Sequence, residues 1–221
     1  MQSNSLARGE TDHRLPDIDP ARLILGDWWK DEDLPVDWDR LMPGGPLCVE
    51  VGFGGGEFLM AMAERFGERR FVGIERFAEG HRRLLKTAHE KDLGNVVSMV
   101  GDAYIILNLA FDDGSLHSVT VNFSDPWPKA RHAKKRLLTA EFFAIAARKL
   151  RPGGRLFAAT DDPAYARQAI GAFAETTVLR SLHPERPWLT GSPHPITTRY
   201  EAKWKREGRP LHYFIHERRV P

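Results

Sequence analysis

From Leu47 onward, the apolar residues form short continuous runs that alternate with longer segments at helical spacing. The short runs are rich in valine, isoleucine and phenylalanine, which is typical of buried strands. Seven of them are predicted as strands: 47–51, 71–75, 95–101, 117–123, 155–160, 177–182 and 211–217. Six segments with apolar residues three or four positions apart are predicted as helices: 57–66, 77–93, 102–111, 137–150, 161–175 and 197–208.

Strands that alternate with helices of this length favour an α/β fold with a mostly parallel sheet and right-handed crossovers. We therefore predict a Rossmann-like, doubly wound sheet of seven strands. The last strand is predicted to be antiparallel, because no long helix like the earlier crossovers precedes it. Asp162 is the expected N-cap of the helix at 161–175, with Pro163 in its first turn.

Residues 1–45 lack this regular pattern and are predicted to be an N-terminal arm, with residues 46–221 forming a single domain. Residues 1–20 hold few large apolar side chains and are expected to be disordered or loosely attached. Trp28, Trp29 and Trp38 lie among acids and prolines. We expect this part of the arm to pack irregularly on the domain.

Composition narrows the classes of function. The net charge of the 221 residues is only +2, so contact with nucleic acid would need a local cluster of cations. The single cysteine, Cys48, lies inside the first strand and excludes a disulfide framework or a cysteine-based zinc site. His212 and His216 lie four residues apart on a predicted strand. Any two residues at even spacing share a strand face, so this spacing does not indicate metal ligands and no metal site is expected. No apolar run approaches the ~20 residues of a membrane helix and no signal core is present, so we expect a cytoplasmic protein.

The first strand is followed by a glycine loop in the segment EVGFGGGEF. Gly52, Gly54 and Gly56 would let the backbone turn tightly and approach a ligand closely, with a plain strand-to-helix turn as the alternative. A dinucleotide-binding fingerprint would need a third glycine at Glu57. A carboxylate close to the helix start would also repel a pyrophosphate, so a dinucleotide is disfavoured.

Acidic residues end successive predicted strands. Glu50 and Glu75 end the first and second strands, Asp102 follows the third, and Asp125 follows the fourth. The carboxyl ends of parallel strands form the ligand-binding edge of a doubly wound sheet. A row of carboxylates there suits a nucleoside with positive charge and free ribose hydroxyls. S-adenosylmethionine (SAM), with its sulfonium, ammonium and ribose diol, has these features.

The segment SDPWPKARHAKKR joins a stiff corner to a basic patch. Pro126 and Pro128 fix φ and restrict the residues before them, which holds Asp125 and Trp127 in place. Trp127 could stack on a base or could be a core residue under the loop. The cations and histidine that follow predict contact with nucleic acid phosphates: Arg131, His132, Lys134, Lys135 and Arg136.

Six segments in this order resemble the bacterial tRNA (guanine-N7-)-methyltransferase family: EVGFGGGEF, FVGIE, GDA, NFSDPWPKARHAKKR, ATDDPAYA and TTRYE. The resemblance runs from about Leu47 to Glu201. Its most specific part is DPWPKARHAKKR, whereas the glycine loop is shared with many methyltransferases. The resemblance implies the SAM-dependent methyltransferase fold and methyl transfer to N7 of guanosine 46 in the variable loop of tRNA. The protein is expected to act as a monomer or homodimer.

The resemblance also implies roles for individual residues. Glu50, Glu75, Asp102 and Asp125 match the SAM-binding acids, and Asp125 matches the active-site residue. The implied substrate contacts are Lys129, Asp161, Thr198, Arg199, Tyr200 and Glu201, and the implied RNA contacts are Arg131, His132, Lys134, Lys135 and Arg136. Ser124 stands where many members have proline, and Tyr200 replaces the more usual phenylalanine. Because guanine N7 carries a lone pair and no proton, we expect Asp125 to orient the base and offset developing charge, without acting as a general base.

Other readings remain open at the level of sequence. An amino-group methyltransferase of the N6-adenine type uses a D/N-P-P-aromatic motif at the same strand end, but here Trp127 breaks the double proline. A non-catalytic RNA-binding protein with a vestigial SAM pocket is a second alternative. A C5-pyrimidine methyltransferase is excluded, because it needs a cysteine nucleophile and Cys48 has the pattern of a small buried residue. Thr198 and Glu201 also fit a capping box at a helix start.

Overall fold

The computed structural model describes Leu23–Ile24 and residues 34–220. The expectations for residues 1–20, Trp28 and Trp29 lie outside these residues. The strands are β1 (Leu23–Ile24), β2 (Leu47–Val51), β3 (Arg70–Glu75), β4 (Val96–Val100), β5 (Leu116–Asn122), β6 (Leu150–Thr160), β7 (Leu179–Ser181) and β8 (His212–Arg218). The helices are α1 (Trp38–Leu41), α2 (Glu57–Arg65), α3 (Ala78–Glu90), α4 (Ala103–Ala110), α5 (Ala140–Lys149), α6 (Pro163–Glu175) and α7 (Arg199–Arg206), and Ala130–Lys135 is a 3-10 helix.

The described strands form one sheet in the order β1-β4-β3-β2-β5-β6-β8-β7. β8 pairs antiparallel with both β6 and β7, and the other pairs are parallel. The prediction of a mostly parallel, doubly wound sheet with an antiparallel last strand is confirmed. The two-residue strand β1 adds an edge pairing with β4 that the sequence pattern did not predict.

Local sequence explains where several elements begin and end. Asp162 caps α6 through the backbone N–H of Tyr165, with Pro163 as the first helical residue, as expected. Residues 151–154 form the turn between the predicted helix at 137–150 and the predicted strand at 155–160, and they lie inside β6, where the pairing with β5 shifts from Leu150 to Arg155. The strand therefore starts earlier than predicted and carries the turn as an irregularity.

Apolar side chains cover both faces of the sheet. One face packs under α4, α5 and α6, and Val49 of β2 and Phe142 of α5 are among the residues buried in this layer. The other face packs under α2 and α3, and Cys48 lies there, buried as expected. Trp38 of α1 stacks on Phe111 at 5.0 Å and donates its indole N–H to a backbone carbonyl, so this part of the arm packs on the core.

Candidate active site

The order of strands reverses between β2 and β5, since the chain passes from β2 to β3 and β4 on one side and continues with β5 on the other. The carboxyl ends of strands at such a point form a crevice in which ligands of doubly wound sheets bind. Glu50 lies at the end of β2, and Asp125 follows β5. The two acids that the sequence places at adjacent strand ends therefore flank this crevice.

The glycine loop between β2 and α2 uses backbone that favours glycine. Gly52, Gly54 and Gly56 have φ values of 71°, 55° and 78°, in the left-handed region. A Cβ atom at Gly52 or Gly54 would meet nothing within 4 Å, whereas one at Gly56 would lie 2.8 Å from the Leu84 side chain. Gly52 and Gly54 thus border open space where a ligand could approach the backbone. Gly56 instead permits close packing of α2 on α3.

Glu50 is buried, with 3% of its surface exposed. The side-chain amide of Asn122 donates to one of its carboxylate oxygens at 3.1 Å, and the other oxygen, Oε2, is buried without a hydrogen-bond partner. Burial raises the pKa of the Glu50 carboxyl to about 8, although the Asn122 hydrogen bond opposes this. An unsatisfied buried carboxylate oxygen is suited to pairing with a cationic ligand group.

Glu75 and Asp102 shape the crevice with their own hydrogen bonds. The backbone N–H of Gly54 donates to Glu75 at 3.0 Å, which ties the glycine loop to the end of β3. Asp102 caps α4 by accepting from the N–H of Tyr104, and its other oxygen pairs with Arg76 at 2.5 Å. Sequence reasoning assigned both acids to a ligand and did not foresee these structural contacts.

The corner after β5 combines an open carboxylate with unusual backbone. Asp125 is exposed and, within the described residues, has no hydrogen bond or ion pair. Phe123 and Trp127 have φ values of 50° and 42°, which non-glycine residues adopt only where the surrounding structure holds them. The corner is therefore held more tightly than the two prolines alone would require.

Arg136 supplies much of that hold. Its guanidinium donates to the carbonyl oxygens of Pro126 at 2.8 Å and Trp127 at 3.0 Å, and to the side chain of Gln168 at 2.6 Å. These contacts direct the Arg136 guanidinium toward the protein, where it braces the corner, a role that the sequence did not predict; its contact with RNA stays a prediction. Sequence reasoning could not separate it from the neighbouring cations, because a basic run does not show which side chain turns inward.

Trp127 is half-buried and lies outside the described apolar clusters, so the reading as a core tryptophan is wrong. Lys135 Nζ lies 4.5 Å from the centroid of its ring, and His132 meets the ring edge-on at 5.4 Å. Arg131 and Lys134 are exposed, as is Lys135. None of these three cations forms an ion pair with a described acid.

Thr198 and Glu201 follow the capping prediction only in part. Thr198 is the N-cap of α7, where its hydroxyl accepts from the N–H of Glu201 at 3.1 Å. The Glu201 side chain is only 3% exposed and forms an ion pair with Lys205 at 2.5 Å. Glu201 is therefore directed toward the protein interior, which a capping role would not require.

The remaining predicted substrate residues lie around the start of α7. Arg199 pairs with Glu57 at 3.2 Å, and the Tyr200 ring lies 5.0 Å from that of Phe123, two residues before Asp125. Asp161, just after β6, accepts from Arg209 at 3.1 Å. Lys129 is exposed and is the N-cap of the 3-10 helix. The fold therefore brings segments far apart in sequence to the same edge of the sheet.

His194 was not among the candidate site residues predicted from the sequence. Its ring lies between those of Phe58 and Phe157, with centroid distances of 4.8 and 4.4 Å, and its Nε2 atom is buried without a partner. Burial lowers its pKa to about 4, so the ring is neutral at physiological pH. A histidine in a proline-rich loop carries no sequence signal for this position.

Exposed Phe77 is a second residue that the motifs did not single out. It follows Glu75 and Arg76 at the carboxyl end of β3, and 76% of its surface is accessible.

Within the described residues, no three His, Cys, Asp or Glu side chains are grouped as a metal ion would need. None of the described helices is long and apolar enough to cross a membrane.

Comparison with solved structures shows the fold. The aminoglycoside resistance methyltransferase NpmB1 aligns with a TM-score of 0.55 at 19% identity, over 79% of this chain and 88% of that one. The [4+2]-cyclase SpnF aligns with a TM-score of 0.56 at 16% identity, over 80% of this chain and 77% of that one. These neighbours share the α/β fold of this chain and, at this identity, say nothing about substrate.

Comparison with sequences is more specific. The family model described as "Putative methyltransferase" matches residues 44–214. The tRNA (guanine-N(7)-)-methyltransferase of Paracoccus denitrificans is 37% identical over 79% of this chain and 72% of its own length. That of Roseobacter denitrificans is 34% identical over 92% of this chain and 89% of its own. The resemblance drawn from the motifs is confirmed, and this chain belongs to the tRNA (guanine-N7-)-methyltransferase family.

Proposed function

We propose that the protein transfers a methyl group from SAM to N7 of guanosine 46 in the variable loop of tRNA. The observation that carries the proposal is the crevice at the strand reversal. There, open space beside the glycine loop and an unsatisfied oxygen of Glu50 lie at the end of β2, and the exposed carboxylate of Asp125 follows the neighbouring strand β5. The names of the related tRNA (guanine-N(7)-)-methyltransferases support this choice of substrate.

The residues of the crevice fit SAM. The unpaired oxygen of Glu50 would accept a hydrogen bond from the ammonium group of the methionine portion. Gly52 and Gly54 leave room for that portion against the backbone. Glu75 already accepts hydrogen bonds from backbone N–H groups, and its remaining lone pairs would accept hydrogen bonds from the ribose hydroxyls. Phe77 offers an exposed aromatic face for the adenine, and Asp102 pairs with Arg76, the residue before Phe77.

When bound, SAM supplies an electrophilic methyl group on a positively charged sulfur. Asp125 would orient the guanine by accepting from its amino and N1 hydrogens, since its carboxylate has no competing partner in the described residues. The same carboxylate would offset the positive charge that develops on the purine. No residue has to remove a proton, because N7 carries none.

The basic 3-10 helix would hold the RNA. Arg131, Lys134 and Lys135 are exposed directly after the corner and would contact backbone phosphates. Lys129 precedes them and would contact the nucleotide near the reacting base. Since tRNA is the substrate, we propose a cytoplasmic site of action, with the protein acting as a monomer or homodimer.

The proposal is tested by incubating the protein with methyl-labelled SAM and unmodified tRNA, followed by nucleoside analysis. We expect 7-methylguanosine, and we expect its loss in a tRNA with adenosine at position 46. Labelled N6-methyladenosine would point to an amino-group methyltransferase instead. SAM and tRNA binding without any transfer would point to a non-catalytic RNA-binding protein.

A further inference from the structure

Helix α7 presents a narrow stripe of cations to solvent. Arg199, Lys203 and Arg206 are four and three residues apart, so they lie on one face of the helix, and all three are exposed. Glu201, the only acid within the helix, lies on the opposite face and is buried against Lys205. The stripe therefore carries three cations, of which Arg199 pairs with Glu57 of α2, and the one carboxylate of the helix faces away from it.

This arrangement differs from that of the other highly charged helix. In α3, Arg83 pairs with Glu79 at 3.2 Å and Lys86 with Glu90 at 3.8 Å, both with spacing i, i+4. Pairs of this kind are typical of a solvated helix face. Within the described residues, Lys203 and Arg206 of α7 have no ion pair. Lys203 contacts the ring of its neighbour Trp204 at 4.5 Å instead.

The position of α7 places the stripe beside the active-site crevice. Its start is tied to α2 by the ion pair between Arg199 and Glu57, and its Tyr200 ring contacts Phe123 just before the Asp125 corner. Beyond its end, Arg209 bonds to Asp161 at the carboxyl end of β6. The helix thus runs along the edge of the sheet where the proposed reaction takes place.

We propose that Lys203 and Arg206 bind phosphates of the tRNA backbone as a second RNA-contacting surface, separate from Arg131–Lys135, while Arg199 holds the start of the helix through its pair with Glu57. This inference rests on the proposed function, since it needs tRNA as the substrate. The Cα atoms of Lys203 and Arg206 lie roughly 4.5 Å apart along the helix axis, and their long, flexible side chains can extend to different phosphates. Cations from two segments distant in sequence would then contact the RNA at the same edge of the sheet as Asp125.

The test measures binding of unmodified tRNA in the absence of SAM at several salt concentrations, using a Lys203→Gln and Arg206→Gln double variant. We expect weaker binding and a slope of log affinity against log salt that is smaller by about 1.4–1.8, as for two lost phosphate contacts. We also expect the KM for tRNA to rise while affinity for SAM stays unchanged. The matched control is Arg83→Gln with Lys86→Gln, which removes two exposed cations from α3 and should leave binding and slope unchanged.

Equal affinity and equal salt slope in the α7 double variant and the parent would overturn the inference while the parent still methylates tRNA. A parent protein that binds no tRNA would overturn both this inference and the proposed function. Equal losses of tRNA affinity in the α7 and α3 variants would show that only the total charge matters. That result would also reject the proposal that the stripe is a specific RNA-contacting surface. Thermal unfolding of each variant excludes a folding defect as the cause of weaker binding.

Discussion

The side-chain amide of Asn122 donates to Glu50 across the strand reversal at 3.1 Å and leaves the second oxygen of that buried carboxylate unpaired. The two residues lie at the ends of neighbouring strands β5 and β2. One neutral hydrogen bond does not replace the water that a carboxylate loses on burial. The pKa of Glu50 is therefore raised, to about 8. This pairing has consequences for cofactor binding that can be measured.

We predict that affinity for SAM rises with pH up to about 8. Pairing with the cofactor ammonium needs ionised Glu50, and below its raised pKa the free protein carries a protonated carboxyl. Each pH unit below that value should weaken binding by about tenfold. Calorimetry in buffers of different ionisation enthalpy should detect release of a proton on binding. Glu50→Gln should bind SAM weakly without this pH dependence, and equal affinity of the parent at pH 6 and pH 8 would contradict the pairing.

The free energy of unfolding provides a second readout of Glu50. Its folded pKa lies above its unfolded value of 4.5, so its contribution to stability is fully present below pH 4.5 and is lost as pH rises through about 8. Over that range the ligand-free parent should therefore lose stability relative to Glu50→Gln. Denaturant titrations of both proteins at several pH values measure this difference.

The acids at the strand ends could be predicted from sequence, because the alternation of strands and helices fixes a parallel sheet whose carboxyl ends meet at one edge. The contacts of Asn122 and Arg136 could not. Asn122 looks like an ordinary strand end, and its partner Glu50 is distant in sequence but adjacent in the sheet. Arg136 belongs to a run of cations whose directions are set by tertiary packing against Gln168.

Asp125→Asn should lower kcat by about 10²–10³, the range measured for loss of one electrostatic contact to a transition state. Stability should change by less than about 0.5 kcal/mol, because Asp125 is exposed and has no partner in the described residues. Single-turnover methylation and urea unfolding measure the two effects. Asp112→Asn is the control at another exposed loop carboxylate and should leave both unchanged. A near-normal rate in Asp125→Asn would mean that its charge does not act on the purine.

Arg136→Ala should destabilise the protein and slow methyl transfer together. The substitution removes donors from the carbonyl oxygens of Pro126 and Trp127 and from Gln168, and releases the left-handed backbone at Trp127. A loss of about 1–3 kcal/mol is expected for partly buried groups left without a partner. The salt slope of tRNA binding should stay near that of the parent, since the guanidinium faces the protein. A clear drop in slope would restore Arg136 to the RNA-contacting set.

Gly54→Ala should weaken SAM binding more than its effect on folding explains. Its φ of 55° disfavours any side chain, so some loss of stability is expected whatever the ligand does. Gly153→Ala is the matched control, because its φ is 74° and its Cβ would also meet nothing within 4 Å, but it lies near the opposite end of β6. Similar unfolding losses with unequal SAM affinity would assign the open space at Gly54 to the cofactor. Unchanged SAM affinity would leave the loop as a turn only.

Lys134→Ala with Lys135→Ala should reduce the salt slope of tRNA binding by about 1.4–1.8 and leave SAM affinity unchanged. Both cations are exposed directly after the corner, although Lys135 also lies 4.5 Å from the Trp127 ring. Loss of that ring contact should cost roughly 0.5–1 kcal/mol of stability, as at other exposed sites. Lys134→Ala alone removes a phosphate contact without this effect, so it should lower the slope by about half as much with no change in unfolding. If the single and double variants keep the slope of the parent, the 3-10 helix is only a solvated surface.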